Sequence, residues 1–81
     1  MDHLVKILSK SLDLPESSIS VETSIYSTPE WDSISHMSLI FEIESAFSLH
    51  LTGDEIALMQ SYPEISSLLA KKNVDIKLLD I

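Results

Sequence analysis

The chain has 81 residues, no cysteine and a formal net charge of −8 at pH 7. Without cysteine it cannot form a disulfide, use a thiolate nucleophile or hold a cysteine-ligated zinc ion. Ten acidic residues and no Lys or Arg lie between Ser11 and Ala70, so nucleic acid and anionic membranes are excluded as partners, and basic protein surfaces are favoured.

A hydrophobic content of 44% is enough for one small domain, and we expect residues 1–81 to fold as a single monomeric domain. The acidity alone has a simpler reading, in which it only keeps a small protein in solution. No apolar run reaches the ~18 residues that a bilayer crossing needs, and the start of the chain lacks the pattern of a signal peptide. The sequence therefore predicts a cytoplasmic protein.

The first predicted helix covers residues 3–13, with Asp2 as its cap. It ends before Pro15, because the residue that precedes a proline avoids helical geometry. Its apolar residues recur at helical spacing: Leu4, Ile7, Leu8 and Leu12.

Residues 15–32 are rich in Ser, Thr and Glu and predict a long loop over the surface. Such loops are uncommon in compact domains and are often functional. Four spaced apolar residues are expected to hold the loop against the core: Ile19, Val21, Ile25 and Tyr26.

The second predicted helix covers residues 33–48, and its wide apolar stripe predicts that it is the most buried helix. Asp32 and Ser33 are both residue types favoured at a helix start, where their oxygens accept free amide hydrogens. If Asp32 is the cap, Trp31 and His36 flank the first turn and can stack as a staple. The apolar positions are Ile34, Met37, Leu39, Ile40, Phe41, Ile43, Ala46 and Phe47.

Two shorter helices follow, over residues 53–59 and 63–73. Thr52 and Glu55 have the spacing of a capping box at the start of the third, and Pro63 suits the first turn of the fourth. The tail, 74–81, either continues the last helix or lies across the bundle. With no strand pattern, the sequence predicts an all-α four-helix bundle with a long loop between helices 1 and 2 and a short third helix.

Seen locally, Ser33 is an ordinary helix-start residue, but the sequence around it, WDSISHMSLIFEIESAF, resembles the attachment segment of the acyl carrier proteins. Asp32-Ser33-Ile34 stands at that family's Asp-Ser-Leu triplet, and Ile43-Glu44 and Phe47 match its later positions. The stretches LDLPESSISVETSI and LTGDEIALM resemble the family's long loop and short third helix. The resemblance covers most of the chain and implies an acyl-carrier-protein-like bundle.

The resemblance implies a carrier rather than an enzyme. A phosphopantetheinyl transferase would attach 4′-phosphopantetheine from coenzyme A to Ser33, and the arm would carry an acyl group as a thioester. Asp32 lies next to the attachment point, and His36 lies one turn further, where it could contact the arm. A phosphate at Ser33 would also meet the positive end of the helix dipole.

The remaining family roles fall on the second and third helices. The partner-binding residues implied are Ile34, Met37, Glu42 and Glu44, which would meet basic surfaces on a loading ligase and a downstream transferase. The residues implied to line a space for the acyl chain are Met37, Ile40, Phe41 and Met59. For each of these four, ordinary core packing is the competing expectation.

Departures from the family favour a specialised biosynthetic pathway over primary fatty-acid synthesis. Glu30 and Trp31 stand where fatty-acid carriers often have Gly and a small residue, and Ser38 and Ser45 stand where they often have Glu. Two alternatives stay open: an aminoacyl or peptidyl carrier loaded by an adenylating enzyme, and an acidic helical adaptor without a prosthetic group.

Two further chemistries are not expected from this sequence. A Ser33–His36 hydrolase dyad lacks a glycine-rich oxyanion loop and a residue that orients the histidine. No metal site is expected either, since His3 and His50 lie far apart and TGDE lacks the spacing of a calcium loop.

Overall fold

The computed structural model describes residues 3–72. It contains four α-helices and one short 3-10 turn, Glu16–Ser18, in the connection between the first two helices. No strand occurs within residues 3–72, which confirms the predicted all-α fold. The helices are α1 (His3–Leu12), α2 (Ser33–Phe47), α3 (Gly53–Leu58) and α4 (Tyr62–Lys71).

Two predictions lie outside the described residues: the cap at Asp2 and the course of the tail, 74–81. The four helices begin and end within two residues of the predicted bounds. The short α3 follows from its sequence, because its apolar residues stop at Met59, where the helix is already over.

The core is built around α1, whose predicted apolar residues are all buried. Helix α1 packs mainly against α2, and α3 packs against α4. An ion pair of 2.9 Å between Lys72 and Glu55 adds a polar link between the end of α4 and α3. Helices α2 and α4 contribute further residues to the same buried cluster: Leu39, Ile40, Ile43, Ile65 and Leu69.

Helix α2 is less buried than its sequence predicts. Only three of its fifteen residues are buried, whereas α1 buries four of ten. The prediction that α2 is the most buried helix is therefore wrong. Apolar residues surround most of this helix, but only the side with Leu39, Ile40 and Ile43 meets the core.

Local capping fixes where the helices start and stop. The Thr52 hydroxyl accepts the amide of Glu55 at 3.2 Å, and the Glu55 carboxylate accepts the amide of Thr52 at 2.9 Å, so the predicted capping box is present. Ser61 caps α4, with Pro63 in the first turn. Helix α2 ends at Phe47 and is capped by Ser48, whose φ of 52° lies in the left-handed region that usually takes glycine.

The long loop between α1 and α2 is held to the core by only part of the predicted set. Ile19 is buried and Ile25 is half-buried against the core. Val21 and Tyr26 are exposed, at 69% and 82%, so the prediction that they pack on the core is wrong. Tyr26 instead donates its hydroxyl hydrogen to Oε1 of Gln60 at 2.9 Å. Trp31 is buried instead, at the end of the loop.

Backbone hydrogen bonds explain how the loop stays ordered with so few apolar contacts. The amide of Ile25 donates to the carbonyl of Gln60 at 2.8 Å, and the amide of Tyr62 donates to the carbonyl of Thr23 at 2.9 Å. These bonds form an isolated antiparallel bridge between Ser24 and Ser61. The bridge ties the loop to the connection between α3 and α4 and so positions the residues that precede α2.

Candidate functional site

Ser33 is the first residue of α2 and its side chain is exposed. The helix begins there because Asp32 has extended backbone geometry (φ −101°, ψ −173°) and acts as the N-cap. Within residues 3–72 no group forms a hydrogen bond with the Ser33 hydroxyl. The structure therefore presents a solvent-facing hydroxyl at the positively polarised end of a fifteen-residue helix.

The carboxylate of Asp32 is part of the local structure of this site. Its Oδ1 accepts the backbone N–H of Ser35 at 2.9 Å. That hydrogen bond lowers the pKa of Asp32 below its ordinary value of 3.8, because it stabilises the charged form. Asp32 is thus ionised at neutral pH, directly before Ser33.

Trp31 and His36 flank the first turn of α2 and touch each other, as predicted for a staple. Their ring centroids are 6.2 Å apart and the ring planes are inclined by 30°. The indole N–H of Trp31 also donates to Nδ1 of His36 at 3.0 Å. This pair fixes the path of the chain on both sides of Asp32 and Ser33.

The hydrogen bonds of His36 select one tautomer of its ring. An indole N–H can only donate, so Nδ1 of His36 must be the acceptor and carries no proton. The proton of the neutral ring is then on Nε2, which lies 3.0 Å from the carbonyl oxygen of Ile56. His36 therefore links α2 to α3, and both of its ring nitrogens have partners within the chain. A contact between His36 and an attached arm stays a prediction.

Three exposed apolar side chains continue along α2 from Ser33. Ile34, Met37 and Phe41 are 82%, 45% and 65% exposed, and their spacing places them on one side of the helix. Together they form what we call the α2 strip. A shallow groove of about 540 Å³ runs along this strip and includes Ser33 and Ser38 in its lining. Two of the predicted partner-binding residues, Ile34 and Met37, belong to this strip.

The four residues expected to line an acyl space do not lie together. Ile40 and Met59 are buried in the core, whereas Met37 and Phe41 are exposed on the α2 strip. Ile40 and Phe41 are neighbours in a helix, and successive residues point about 100° apart, so they do not share a face. Without an attached chain, the four candidates therefore divide between the core and the α2 strip. Their role in lining a space for an acyl chain stays a prediction.

The two acids expected to bind partners are engaged within the chain. Glu42 forms an ion pair of 3.2 Å with Lys10 of α1. Glu44 accepts the amide of Leu51 at 2.8 Å and lies 3.5 Å from His50. Glu44 therefore closes the connection between α2 and α3, which is a structural role that the sequence did not indicate.

A second groove, which is open to solvent, borders Ser33 on the side of the loop and has a volume of about 450 Å³. We call it the Ser33 groove. Sequence reasoning placed Ile25 in the core and missed it as a wall of this groove, because the bridge that carries it there joins distant segments. The lining residues are Ile25, Trp31, Asp32, Ser33, His36 and Met37.

Comparisons with protein-family models, curated proteins and solved structures gave no match to this chain. Among residues 3–72, no helix combines the length and the apolar character required to cross a membrane. The function is therefore inferred from the geometry around Ser33.

Proposed function

We propose that the chain is an acyl carrier protein, an acyl-carrier-protein-like bundle in which Ser33 bears 4′-phosphopantetheine. The observation that carries the proposal is the exposed Ser33 hydroxyl at the first position of α2, immediately after the capping Asp32. The long ordered loop before it and the short α3 after α2 agree with the family pattern that the sequence resembles.

The residues at the start of α2 suit such a group. An enzyme can reach the Ser33 hydroxyl from solvent, and the helix end favours an anionic phosphodiester by about 0.3–1 kcal/mol at an exposed position. The charged Asp32 opposes this by like-charge repulsion, which solvent weakens. The attached group would supply a thiol that holds the cargo as a thioester; this chain has no thiol of its own.

Attachment is a phosphoryl transfer in which the Ser33 oxygen is the nucleophile. Its oxygen forms a bond to the phosphorus that bears the pantetheine, and the bond to the adenosine bisphosphate part of coenzyme A breaks. The hydroxyl proton passes to a base of the transferase. The chain's part in this reaction is to present the oxygen on a rigid helix end, which Asp32, Trp31 and His36 fix.

Two surface features would contribute to the recognition of partner enzymes, namely the negative charge and the apolar α2 strip. The net charge of −8 attracts basic surfaces over a distance and raises the rate of encounter. The α2 strip then supplies apolar contact area beside Ser33, since its three side chains are between 45% and 82% exposed. The partners proposed are a phosphopantetheinyl transferase, a loading ligase and a downstream transferase of a specialised pathway.

Intact-protein mass tests the proposal. After incubation with coenzyme A and a transferase of broad specificity, the wild type should gain the mass of one phosphopantetheine, and Ser33→Ala should gain none. Ser35→Ala is the matched control, because it removes a hydroxyl two residues along the same helix. A wild-type mass that stays unchanged would contradict the proposal.

The α2 strip also favours a second candidate, an acidic adaptor that binds its partner without a prosthetic group. Exposed apolar patches of this kind usually mark interaction sites. An adaptor would bind its partner equally well as wild type and as Ser33→Ala, whereas a carrier would lose transfer in the variant.

A further inference from the structure

The ring of His36 joins three segments beside Ser33: the end of the loop, the start of α2, and α3. Its Nδ1 accepts the indole N–H of Trp31 at 3.0 Å, and its Nε2 lies 3.0 Å from the carbonyl oxygen of Ile56. His36, Trp31 and Ser33 all line the Ser33 groove. The hydrogen bond that holds Trp31 in this groove therefore depends on a nitrogen that can take up a proton.

The two nitrogens of this ring respond differently to protonation. A proton on Nδ1 turns the acceptor into a donor, and an indole N–H can only donate. Two N–H groups would then point at each other, so the hydrogen bond between Trp31 and His36 is lost. Nε2 carries a proton in both forms of the ring, so its bond to the Ile56 carbonyl survives. Protonation thus separates the loop end from α2 and leaves the link between α2 and α3 in place.

The charged groups on the segments packed against His36 are acids. They are Glu30 and Asp32 at the loop end, and Asp54 and Glu55 on α3. The Asp32 side chain lines the same groove as the His36 ring, whereas Glu55 is already paired with Lys72 at 2.9 Å. Carboxylates stay ionised over the pH range in which histidine usually titrates. Asp32 is therefore the charge in this groove that favours a protonated ring once Trp31 has moved.

The other two histidines lie near the opposite end of α2. The ring of His3 packs edge to face against Phe47, with centroids 5.5 Å apart, and Nδ1 of His50 lies 3.5 Å from the carboxylate of Glu44. Phe47 is the last residue of α2, whereas His36 lies near its start. A proton taken up by His3 or His50 therefore leaves the contact between Trp31 and His36 in place.

We infer that His36 is a proton-sensitive positioning residue, whose neutral ring holds Trp31 against the start of α2 and whose protonated ring releases it. The release loosens the chain directly before Asp32 and Ser33. This inference rests on the proposed function for its biological meaning, which is that the chain presents Ser33 to its transferase less well in acid. The change in hydrogen bonding is measurable on the chain alone.

NMR spectroscopy of the full chain from about pH 8 to about pH 5 provides that measurement. The imidazole ¹⁵N signals of His36 report the proton on Nδ1, and hydrogen exchange of the Trp31 indole N–H, relative to free tryptophan, reports the bond. The protection of the indole N–H should fall by roughly two- to tenfold, as expected for one hydrogen bond, with the same midpoint as the His36 signals. The amides of the buried residues Ile43 and Ile65 should keep their protection, which excludes general unfolding.

A variant of His36 separates the proton from the hydrogen bond. His36→Asn keeps an oxygen close to the position of Nδ1 but takes up no proton in this range, so the pH dependence of the Trp31 protection should disappear. His50→Asn is the matched control, the same change at a side chain that is 90% exposed, and it should behave like the wild type. An indole N–H that stays equally protected while the wild-type His36 is protonated would overturn the inference, whether or not His36→Asn folds.

The rate of modification by a phosphopantetheinyl transferase is the second readout. Trp31→Phe keeps an aromatic side chain but removes the donor. The ratio of kcat/KM between wild type and Trp31→Phe cancels the pH dependence of the transferase itself. This ratio should be roughly two to ten at about pH 8 and approach one where His36 is protonated; a ratio that does not change with pH would refute the positioning role. If neither chain is modified at any pH, the carrier function falls, and the NMR titration alone decides whether His36 controls Trp31.

Discussion

Trp31 and His36 are joined twice, by a hydrogen bond of 3.0 Å from Nε1 to Nδ1 and by stacking of their rings at 6.2 Å. The same histidine reaches α3 through Nε2 and the carbonyl of Ile56. Since α1 packs mainly on α2 and α3 on α4, His36 connects the two helix pairs at the end where Ser33 lies. The two ring nitrogens have opposite roles, so only one neutral tautomer fits.

His36→Ala should therefore destabilise the fold by about 1–3 kcal/mol, because it leaves the buried Trp31 indole N–H without its acceptor. It also removes the link to the Ile56 carbonyl, which keeps the Met59 amide as a donor at 3.2 Å. Urea unfolding followed by circular dichroism measures this loss. His50→Ala is the control, since the His50 side chain is 90% exposed and its loss should change stability by less than about 0.5 kcal/mol. Equal losses in the two variants would contradict the role of His36.

The tautomer itself is observable. Imidazole ¹⁵N chemical shifts of wild-type protein should show a protonated Nε2 and an unprotonated, accepting Nδ1 for His36. In Trp31→Phe the indole donor is gone, and the tautomer preference should weaken. A wild-type ring with the proton on Nδ1 would show that the pair is arranged differently.

Asp32 makes the stability depend on pH in a definite direction. Its pKa is lowered below 3.8 in the folded state, chiefly by the backbone N–H of Ser35. The folded state therefore favours the charged form. This contribution is fully present above the unfolded value of about 4 and is lost as the pH falls through the lowered folded value.

The measurement for Asp32 is the difference in unfolding free energy between wild type and Asp32→Asn, from neutral pH down to about pH 3. Asparagine keeps an oxygen that accepts the Ser35 amide but has no charge to lose, so the advantage of the wild type should shrink on acidification. A difference that stays constant would count against the proposed cause. Asp32→Ala removes the cap and should be less stable than Asp32→Asn at neutral pH.

Met59 and Leu58 are adjacent in sequence but differ in their exposure to solvent. Met59 is fully buried, whereas Leu58 is 62% exposed. Met59→Ala should cost about 2–5 kcal/mol, because it leaves a cavity in a small core. Leu58→Ala should cost less than about 0.5 kcal/mol. Chemical denaturation of the two variants compares them directly, and a reversed order would show that Leu58 rather than Met59 packs in the core.

Substitution of Phe41 tests whether partner enzymes dock on the α2 strip. Phe41→Ser removes apolar area that is exposed, so the melting temperature should stay close to that of the wild type. If partner enzymes dock on the strip, the KM of a phosphopantetheinyl transferase for this chain should rise by roughly tenfold, which corresponds to about 1.4 kcal/mol of lost contact. The kcat should change little, since Ser33 is untouched.

Leu58→Ser is the control for Phe41→Ser, because it removes a similarly exposed apolar side chain from another helix. It should leave the KM unchanged. If both variants raise the KM equally, non-specific hydrophobic contact explains the effect better than docking on the strip does.

Local sequence predicted the features that local interactions create. The cap at Asp32, the capping box of Thr52 and Glu55, and the contact of Trp31 with His36 each depend on residues within five positions of one another. Such signals hold whatever the rest of the fold does. For this reason the start of α2, and hence the position of Ser33, could be predicted from the sequence.

The orientation of α2 in the bundle could not be predicted from the sequence in the same way. Ile34, Phe41 and Ile43 look alike in sequence, yet only Ile43 is buried. Which apolar face meets the core is decided by where α1 lies, and no local pattern contains that information. For the same reason, the sequence did not show that Ile40 lies in the core whereas Met37 and Phe41 lie on the exposed α2 strip.

The bridge between Ser24 and Ser61 could not be predicted from the sequence either. A single pair of backbone hydrogen bonds needs no special side chains, and neither segment alternates like a strand. The bridge nevertheless decides that Ile25 becomes a wall of the Ser33 groove while Val21 and Tyr26 remain in solvent.

That bridge has a kinetic consequence. It joins two segments far apart in the chain and so closes a large ring that contains all of α2 and α3. Ring closure is entropically unfavourable until its contacts form, and non-local contacts of this kind slow folding. During refolding, docking of α1 on α2 should come first, and the groove beside Ser33 should acquire its final shape only in the last stage.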